Sequence, residues 1–313
     1  MSASSLPQAS SYAPAVDHLF DAMLLLCGAV AIGVFAVMFA FCIRYRRGHA
    51  ADREGGNTRL GVELAWTLVP FALFLGIFGW SIGLWAKLRT PPADSVPVYI
   101  VAKQWMWRVQ HPDGTREIDT LHVPLGQPVR LVMISQDVVH SFYVPAFRVK
   151  QDVLPGRYTE LWFTATRAGR FPLFCSEYCG VGHPSMRGSV VAMAPADYAR
   201  WLHAQSSPGL AARGAELFRR FGCSGCHDPG SGVHAPDLRG LYGAPVPLSD
   251  GSVVRADDRY LHDSIVLPRS QVAAGYAPIM PSYQGRIGEE DILALIAYVK
   301  SLEVEGGQGH AHP

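Results

Sequence analysis

The sequence predicts a multidomain membrane protein: a two-helix transmembrane hairpin, then an antiparallel β-barrel or sandwich, then a small all-α domain. Three observations support this fold class. Two long apolar runs lie near the N-terminus, short β-rich segments separated by turns fill the middle, and helical patterns dominate the C-terminal third. At 313 residues, the chain is long enough for two or three compact domains.

The two apolar runs, residues 22–43 and 64–86, contain no charged side chain, and each is long enough to cross about 30 Å of hydrocarbon. The loop between them is rich in arginine, whereas the N-terminal tail, residues 1–21, has no Lys or Arg. The positive-inside rule therefore puts the loop in the cytoplasm and both the tail and the later domains on the outer side. The first run is too long for a signal peptide and lacks its flanking features. Residues 22–91 are thus predicted to form a membrane hairpin.

Residues 92–205 form the predicted β domain. Its apolar segments, such as "VRLVMIS" and "GSVVAMA", are separated by turn sequences such as "HPDG" and "LPGR". Short strands at this spacing are typical of an antiparallel sandwich or barrel. The segment "PADYARWLHAQ" predicts a helix that closes the domain.

Residues 206–303 form the predicted helical domain, and residues 304–313 a flexible tail. The domain begins with "ARGAELFRRFG" and ends with "GEEDILALIAYVKSLE", whose apolar residues approximate one helical face. In the whole chain, 27 basic residues nearly cancel 26 acidic residues, so no global field points to a nucleic-acid partner.

The segment "CSEYCGVGHPSM", residues 175–186, brings two thiols, an imidazole and a thioether together. Soft sulfur ligands favour copper, and His140 is the candidate for a second imidazole. Cys175 and Cys179 could both bridge a pair of copper ions, which would give an electron-transfer centre with small reorganisation. A tetrahedral zinc site that uses His140, Cys175, Cys179 and His183, or a disulfide between the two cysteines, also fits the spacing alone.

The segment "FGCSGCHDPG" has the CxxCH spacing of covalent c-type haem, with Cys223 and Cys226 as thioether links and His227 as the proximal ligand. A haem that carries electrons needs a sixth ligand, and a Met/His pair raises its potential. Met280, in "YAPIMPSYQG", is the candidate; core packing is the alternative role for this methionine. His234 and His262 are weaker candidates for the sixth ligand.

The chain from the first membrane helix to residue 194 resembles subunit II of haem-copper cytochrome c oxidases, whose signature is CxExCGxxHxxM. Residues 137–157, 104–107 ("QWMW") and 63–70 ("ELAWTLVP") resemble further segments of that family, in the same order. Residues 211–303 resemble a class I cytochrome c domain. The resemblance implies a cupredoxin-like antiparallel β-barrel fused to a small all-α cytochrome c domain.

The resemblance also implies a dinuclear copper centre (CuA) held by His140, Cys175, Glu177, Cys179, His183 and Met186. In that centre the two cysteines bridge the copper ions, Met186 binds one copper, and the backbone carbonyl of Glu177 binds the other. The carboxylate of Glu177 is expected to reach a magnesium ion at the junction with the catalytic subunit.

Two further roles follow from the resemblance. Trp105, rather than Trp107, is expected to pass electrons to the copper centre, although a lone tryptophan on a strand is by default a core residue. Glu63 is expected at the mouth of a proton uptake channel. Its alternative role is that of a carboxylate favourably placed at a helix N-terminus.

The function that the resemblance implies is electron transfer in a bacterial terminal cytochrome c oxidase. Electrons would pass from an external donor, such as a soluble or membrane cytochrome c, through haem c and CuA to the haem groups of subunit I, where oxygen is reduced to water and protons are translocated. Subunit I, subunit III and the lipid bilayer are the expected partners, and the cytoplasmic membrane is the expected location. A membrane component of a nitrogen-oxide reductase and a non-enzymatic copper or redox sensor are the alternatives.

Overall fold

The structure, a computed structural model, describes residues 6–48, 59–205 and 209–302. Two long helices, α1 (Ala13–Arg44) and α2 (Leu60–Arg89), are long and apolar enough to cross a membrane. The helix α1 begins at Ala13 rather than at residue 22, because the less apolar residues before the membrane run continue the same helix. Part of the arginine-rich loop and the predicted tail, residues 304–313, lie outside the described residues.

The segment before α1 pairs with the β domain. The amide N–H of Ala9 donates to Ala146 O (2.9 Å), and that of Thr166 donates to Ala9 O (3.0 Å). In the second turn of α1, Asp17 accepts from Arg148 Nε at 2.7 Å and from Arg148 Nη2 at 3.0 Å. The described part of the N-terminal segment is therefore attached to the barrel, because the backbone of Ala9 and the carboxylate of Asp17 find their partners there.

The β domain consists of two five-stranded sheets that pack face to face. Their strand orders are β3-β2-β1-β5-β8 and β4-β10-β9-β6-β7. The strands are β1 (Val96–Lys103), β2 (Met106–Gln110), β3 (Arg116–Ile118), β4 (Thr120–Pro124), β5 (Pro128–Ser135), β6 (His140–Val144), β7 (Val149–Val153), β8 (Thr159–Thr164), β9 (Gly169–Cys175) and β10 (Arg187–Met193). Alternate side chains of these strands, among them Trp107, Leu131, Phe142 and Phe163, fill the core between the sheets.

The barrel is mainly antiparallel, as predicted, but β1 pairs with β5 and β4 pairs with β10 in parallel. This difference arises because a crossover between the sheets brings non-consecutive strands side by side. A buried network fastens the closing helix α3 (Pro195–Ala204) to the barrel. In it, Glu117 lies between the rings of His111 and His122, and the hydroxyl of Tyr198 in α3 bonds His111 Nδ1 at 3.1 Å.

The C-terminal domain contains the helices α4 (Leu210–Arg220), α5 (Ser224–His227), α6 (Asp258–Val266) and α7 (Glu289–Ser301). A two-stranded hairpin, β11 (Pro245–Pro247) and β12 (Val253–Arg255), interrupts the helices, so the all-α prediction holds except for this small ribbon. Helices α4 and α7 cross at Gly214, where an added Cβ would lie 2.0 Å from Ala294 O. Glycine is thus required there for the two backbones to approach.

The helical domain lies against the barrel. The outward side chains Tyr99, Val101, Val132 and Ile134 of β1 and β5 share one buried core with α4, α6 and α7. At the edge of this contact, Arg108 Nη1 lies 2.8 Å from Glu290 Oε1. Arg116 reaches the other oxygen of Glu290 at 3.7 Å. Apolar burial and ion pairs therefore both dock the helical domain on this sheet.

Candidate copper centre and haem pocket

Three strands of the second sheet converge on the predicted copper ligands. His140 is the first residue of β6 and Cys175 is the last residue of β9, while Met186 directly precedes β10. Strands β6 and β9 pair so that Phe142 lies opposite Cys175, and the amide N–H of Cys175 donates to Met186 O at 3.2 Å. The loop between β9 and β10 folds back over these strand ends and contributes Cys179 and His183.

The sulfur and imidazole donors lie within a few ångströms of one another. Cys175 Sγ is 3.8 Å from Cys179 Sγ and 3.9 Å from His140 Nδ1. Cys179 Sγ is 3.5 Å from His183 Nδ1 and 3.7 Å from Met186 Sδ. The backbone oxygen of Glu177 lies 3.2 Å from Cys175 Sγ. Every donor named by the sequence is therefore present in one cluster, and His140, Cys175, Cys179 and Met186 are buried.

The imidazole of His140 has a defined orientation. Its Nε2 lies 2.8 Å from Asp137 Oδ1, so the proton on Nε2 is donated to this carboxylate and Nδ1 is left with a lone pair facing Cys175. Asp137 is itself held by the backbone N–H groups of Gln104 (2.7 Å) and Val138 (2.7 Å). A carboxylate that fixes a histidine tautomer in this way is typical of metal sites.

The two thiols differ in acidity. Burial raises the pKa of Cys175, but hydrogen bonds with His140 and with nearby backbone groups outweigh burial and lower this pKa to about 6. Burial and the neighbouring charge on Cys175 raise the pKa of Cys179 to about 12. Cys175 is therefore the more readily deprotonated thiol, and the proton of Cys179 must leave when a cation binds both sulfurs.

The donor set fits copper. Thiolate and thioether are soft donors that favour copper, whereas a structural zinc site uses cysteine, histidine and carboxylate ligands and has no use for Met186. Cys175 and Cys179 are both free thiols, so the disulfide alternative is not the arrangement found. Two sulfurs flanked by one imidazole on either side match the paired arrangement expected for a dinuclear centre.

The haem motif opens onto a largely apolar pocket of the helical domain, lined by Cys223, Cys226, His227 and Met280 among others. His227 Nδ1 lies 2.9 Å from Pro236 O, so it donates its proton to this carbonyl and Nε2 is free to bind iron. His234 also lines the pocket, but its ring stacks on Tyr276 with centroids 4.7 Å apart. His262 lies outside the lining, close to Asp263 and Glu289. The residues present therefore fit a haem with a His/Met ligand pair.

Protein-family models match three parts of the chain in order. These are "Cytochrome C oxidase subunit II, transmembrane domain" at residues 3–84, "Cytochrome C oxidase subunit II, periplasmic domain" at residues 114–193, and "Cytochrome c" at residues 211–303. Cytochrome c oxidase subunit 2 of Thermostichus vulcanus is 32% identical over 251 residues, which cover 62% of this chain and 76% of that protein. The chain belongs to the cytochrome c oxidase subunit 2 family. The predicted family and its order of domains are thereby confirmed.

Two other similar proteins extend the comparison. Cytochrome c oxidase subunit 2 of Alkalihalophilus pseudofirmus is 29% identical over 312 residues, which cover 93% of this chain and 89% of that one. The crystal structure of the periplasmic domain of subunit II of cytochrome oxidase of Bradyrhizobium japonicum is 28% identical, with a TM-score of 0.36, and covers 37% of this chain and 96% of that one. As a member of the cytochrome c oxidase subunit 2 family, the chain is part of an oxidoreductase. It has a membrane anchor, a periplasmic domain and a cytochrome c domain, and its families imply copper and haem c.

In this chain, the two tryptophans of "QWMW" lie in different surroundings. Trp105 is 38% exposed and lies over the copper loop, where its Nε1–H donates to Cys179 O at 3.1 Å. Trp107 is fully buried and packs edge-on against Phe142, with ring centroids 5.4 Å apart. The exposed position suits the role expected for Trp105, which stays a prediction.

Both glutamates with predicted roles are exposed. The side chain of Glu177 points out of the copper loop, where the neighbouring Tyr178 and Val181 are also exposed. Glu63 lies in the first turn of α2, and its carbonyl accepts from Thr67 Oγ1 at 3.0 Å. The parts that these two side chains play in magnesium binding and proton uptake stay predictions.

Sequence reasoning missed Asp137 and Gln104 of this site. Gln104 Nε2 donates to Cys179 O at 2.8 Å, the same carbonyl that Trp105 contacts. The signal for Asp137 was its spacing in "DVVH", three residues before a predicted histidine ligand. Gln104 gave no signal beyond its position beside Trp105, since its partner lies 75 residues away.

Proposed function

We propose that this subunit passes electrons from an external donor, a soluble or membrane cytochrome c, through haem c to a dinuclear CuA centre and on to the haem groups of subunit I. There, oxygen would be reduced to water with coupled proton translocation. The observation that carries the proposal is the convergence of thiolate, imidazole and thioether donors at one end of the barrel. The haem pocket of the same chain supports the route.

In this proposal, Cys175, Cys179, His140 and His183 would hold a pair of copper ions, with Met186 and the backbone carbonyl of Glu177 as further ligands. Such a copper pair would supply one-electron transfer with little change in geometry. Asp137 acts as a positioning residue, because it holds the proton on Nε2 of His140 and keeps Nδ1 available.

For haem c, Cys223 and Cys226 are the covalent attachment points, His227 the proximal ligand and Met280 the sixth ligand. Pro236 supports this assignment, because its carbonyl holds the Nδ1 proton of His227. Such a His/Met haem supplies one-electron transfer at a raised potential. The surrounding apolar side chains would exclude water and keep the haem in the pocket.

The remaining assignments concern the complex. We propose that Trp105 passes electrons to the copper centre, that Glu177 supplies one carboxylate to magnesium at the boundary with subunit I, and that Glu63 lies at the mouth of a proton uptake channel. A single carboxylate leaves the other magnesium ligands to be supplied by water and by subunit I. Subunits I and III and the lipid bilayer are the proposed partners, and the bacterial cytoplasmic membrane is the proposed location.

Electron paramagnetic resonance of the full-length chain in its oxidase complex tests the proposal. Loaded with copper and poised at partial oxidation, the wild-type chain should give hyperfine structure from one electron shared by two copper nuclei. Cys175→Ser and Cys179→Ser should both abolish this signal and the oxygen consumption supported by reduced cytochrome c. The matched control is Cys42→Ser, at an exposed thiol of α1 far from the cluster, and it should keep both. A single-copper or zinc-only site in the wild type would refute the proposal.

A further inference from the structure

The first turn of α7 connects three other parts of the molecule. Its first three residues are all acidic. Glu289 Oε2 lies 3.3 Å from Nε2 of His262 in α6, and Glu290 Oε1 lies 2.8 Å from Nη1 of Arg108 in the barrel. The third residue, Asp291, pairs with an arginine of α4. The position of this turn on the barrel therefore depends on the contact with α6 as well.

The partner in α6 is a buried histidine, which can lose its charge near neutral pH, whereas the arginine partners cannot. The side chain of His262 is 4% exposed. Its Nδ1 lies 3.1 Å from Asp263 Oδ1 and donates a proton there, so Nε2 faces Glu289. Neither Nε2 nor Glu289 Oε2 has another hydrogen-bond partner within the described residues. An imidazolium compensates this carboxylate, whereas a neutral ring with its proton on Nδ1 presents only a lone pair to it.

The charges around this histidine balance only when its ring is protonated. The cluster has three carboxylates, those of Asp258, Asp263 and Glu289. Lys300 Nζ lies 2.5 Å from Asp258 Oδ1, and Arg259 Nε lies 3.6 Å from Asp263 Oδ2. The imidazolium supplies the third positive charge. Its loss leaves Glu289, whose side chain is 17% exposed, without a compensating charge.

Two tyrosines of the barrel cover the cluster. The ring of Tyr158 lies edge-on to that of His262, with centroids 5.4 Å apart, and the lysine of α7 lies 5.9 Å from the ring centroid of Tyr99. Burial raises the pKa of Tyr158 well above 10, so its hydroxyl stays neutral. The titratable groups that face the histidine are therefore Asp263 on its own helix, Glu289 on α7 and Tyr158 on the barrel.

The same turn of α7 lies close to the support of the copper cluster. A Cβ added to Gly288, which directly precedes α7, would lie 3.7 Å from Nε2 of Gln136. Gln136 is followed by Asp137, whose carboxylate orients the ring of His140. A shift of this turn would therefore separate the helical domain from the end of the barrel that carries the copper ligands.

We propose that His262 is a pH-sensitive switch in the docking of the helical domain on the barrel. In its protonated form, the imidazolium holds the first turn of α7 against α6 and so keeps Glu290 at its arginine partners on the barrel. In its neutral form, Glu289 loses its partner, and the turn and the domain behind it move away from the barrel more readily. The inference concerns the docking of two domains and does not depend on the proposed electron route.

The sign of the pH dependence follows from the surroundings of the ring. Burial lowers the pKa of His262, but the neighbouring carboxylates of Glu289 and Asp263 outweigh burial and raise this pKa above the ordinary 6.5. The stabilisation is therefore fully present below about pH 6.5 and is lost as the pH rises through the raised pKa. Docking should be tightest on the acidic side.

Hydroxyl-radical footprinting of the full-length chain in its oxidase complex tests the switch. Oxidation of Tyr99 and Tyr158 reports on undocking, because the helical domain covers both side chains. A small tyrosine peptide in the same sample serves as the internal standard. The pH is varied from about 5.5 to about 9, a range that includes the ordinary pKa of histidine and stays below that of tyrosine. Oxidation of the two tyrosines relative to the peptide should rise about threefold or more as the pH passes through the raised pKa. A constant ratio would overturn the proposal.

Charge variants decide whether the histidine is the cause. His262→Gln cannot become charged, so both tyrosines should be oxidised readily at every pH. Glu289→Gln removes the carboxylate that needs the charge, so the tyrosines should stay protected at every pH. The double variant places two uncharged amides together and should restore protection, which shows that the single His262→Gln chain is folded. His203→Gln, at an exposed histidine of α3, is the matched control and should keep the pH dependence of the wild type. A wild-type pH dependence in His262→Gln, or a double variant as readily oxidised as the single one, would overturn the proposal.

Hydrogen exchange locates the movement. After correction for the intrinsic pH dependence of exchange, the amides of α6 and of the first turn of α7 should lose protection about tenfold over the same pH range, whereas those of β6 and β9 keep theirs. Loss of protection in all of these elements together would show that the pH acts on the whole fold, and it would overturn the proposal. Both readouts are independent of copper and haem chemistry, so their failure leaves the proposed function standing.

Discussion

Gly182→Ala tests how closely Trp105 packs on the copper loop. The backbone at Gly182, with φ −86° and ψ 6°, is open to alanine, so any cost arises from the added methyl group alone. That Cβ would lie 2.3 Å from Cδ2 of the Trp105 ring and 2.6 Å from Cε3. Ordinary carbon contacts need about 3.5 Å, so the ring must move outward by about 1 Å.

The displacement has a cost that can be worked from the contacts. The Trp105 Nε1–H to Cys179 O hydrogen bond, now 3.1 Å, would lengthen beyond hydrogen-bond range. Its loss costs about 1 kcal/mol and overpacking costs about 1–3 kcal/mol. We therefore expect Gly182→Ala to reduce, by about 2–4 kcal/mol, the free energy needed to open the end of the barrel that carries the copper loop. Hydrogen exchange of the amides of β6 and β9 in the full-length chain measures this quantity.

A double-mutant cycle decides whether the ring is the cause. In a Trp105→Ala background the added methyl group meets no ring, so Gly182→Ala should cost less than about 0.5 kcal/mol. Gly232→Ala, at a glycine with no atom within 4 Å of the added Cβ, is the matched control and should be neutral. An equal cost of Gly182→Ala in both backgrounds would refute the reasoning.

Three further predictions concern residues outside the copper and haem sites that stabilise the domains around them. Arg148→Gly relieves a left-handed residue (φ 56°) but removes the guanidinium from the buried carboxylate of Asp17, to which Gln8 Nε2 still donates. We therefore expect the free energy of opening of the start of α1, measured by hydrogen exchange, to fall by about 2–4 kcal/mol. Burial raises the pKa of Glu117, but hydrogen bonds from its two histidines outweigh burial and hold this pKa below the ordinary 4.5. Its stabilisation is thus present above about pH 4.5 and lost as the pH falls through the lowered pKa; Glu117→Gln should remove this acid-side slope in unfolding experiments. Gly214→Ala should cost about 3 kcal/mol or more and reduce haem incorporation, measured by absorbance, because the backbone at Ala294 cannot yield as a side chain would.

Controls distinguish these outcomes from general effects of substitution. Arg200→Gly breaks an ion pair with Asp197 whose side chains are 76% and 52% exposed, so the pair itself should contribute less than about 1 kcal/mol. An equal loss for Arg148→Gly would mean that the buried pair contributes no more than an exposed one. A retained acid-side slope in Glu117→Gln would assign that slope to other carboxylates. Normal haem content in Gly214→Ala would show that the helices can separate without opening the pocket.

The copper and haem ligands could be predicted from the sequence because their chemistry depends on residue types at short spacings. Cys175, Cys179 and His183 lie on one loop, and only His140 had to be brought from another strand. The membrane hairpin could also be predicted from the sequence, because uncharged apolar runs of that length are typical of transmembrane helices. These features need no knowledge of which strands are neighbours.

Features that depend on distant pairing could not be predicted. The parallel pairing of β1 with β5 leaves no mark in the alternation of apolar residues, because alternation records a buried face and not a partner strand. Asp17 and Arg148 are separated by 131 positions, and each taken alone is an ordinary charged residue near the end of an element. The same limit explains why α1 begins earlier than the apolar run predicts. Its outer turns are stabilised by contacts with the barrel and not by hydrocarbon.

The N-terminal segment has a practical consequence for anyone who wishes to study the copper domain in isolation. A fragment cut after the second membrane helix would lack Ala9, whose backbone bonds both Ala146 and Thr166, and it would leave the guanidinium of Arg148 without its carboxylate partner. It would also lose Lys87, whose carbonyl accepts from Trp162 Nε1 at 3.2 Å. Such a soluble fragment would lose the contacts that join the N-terminal segment to the barrel. A soluble fragment that keeps these contacts would need the N-terminal segment of the chain. A short linker in place of the membrane hairpin would join this segment to the β domain.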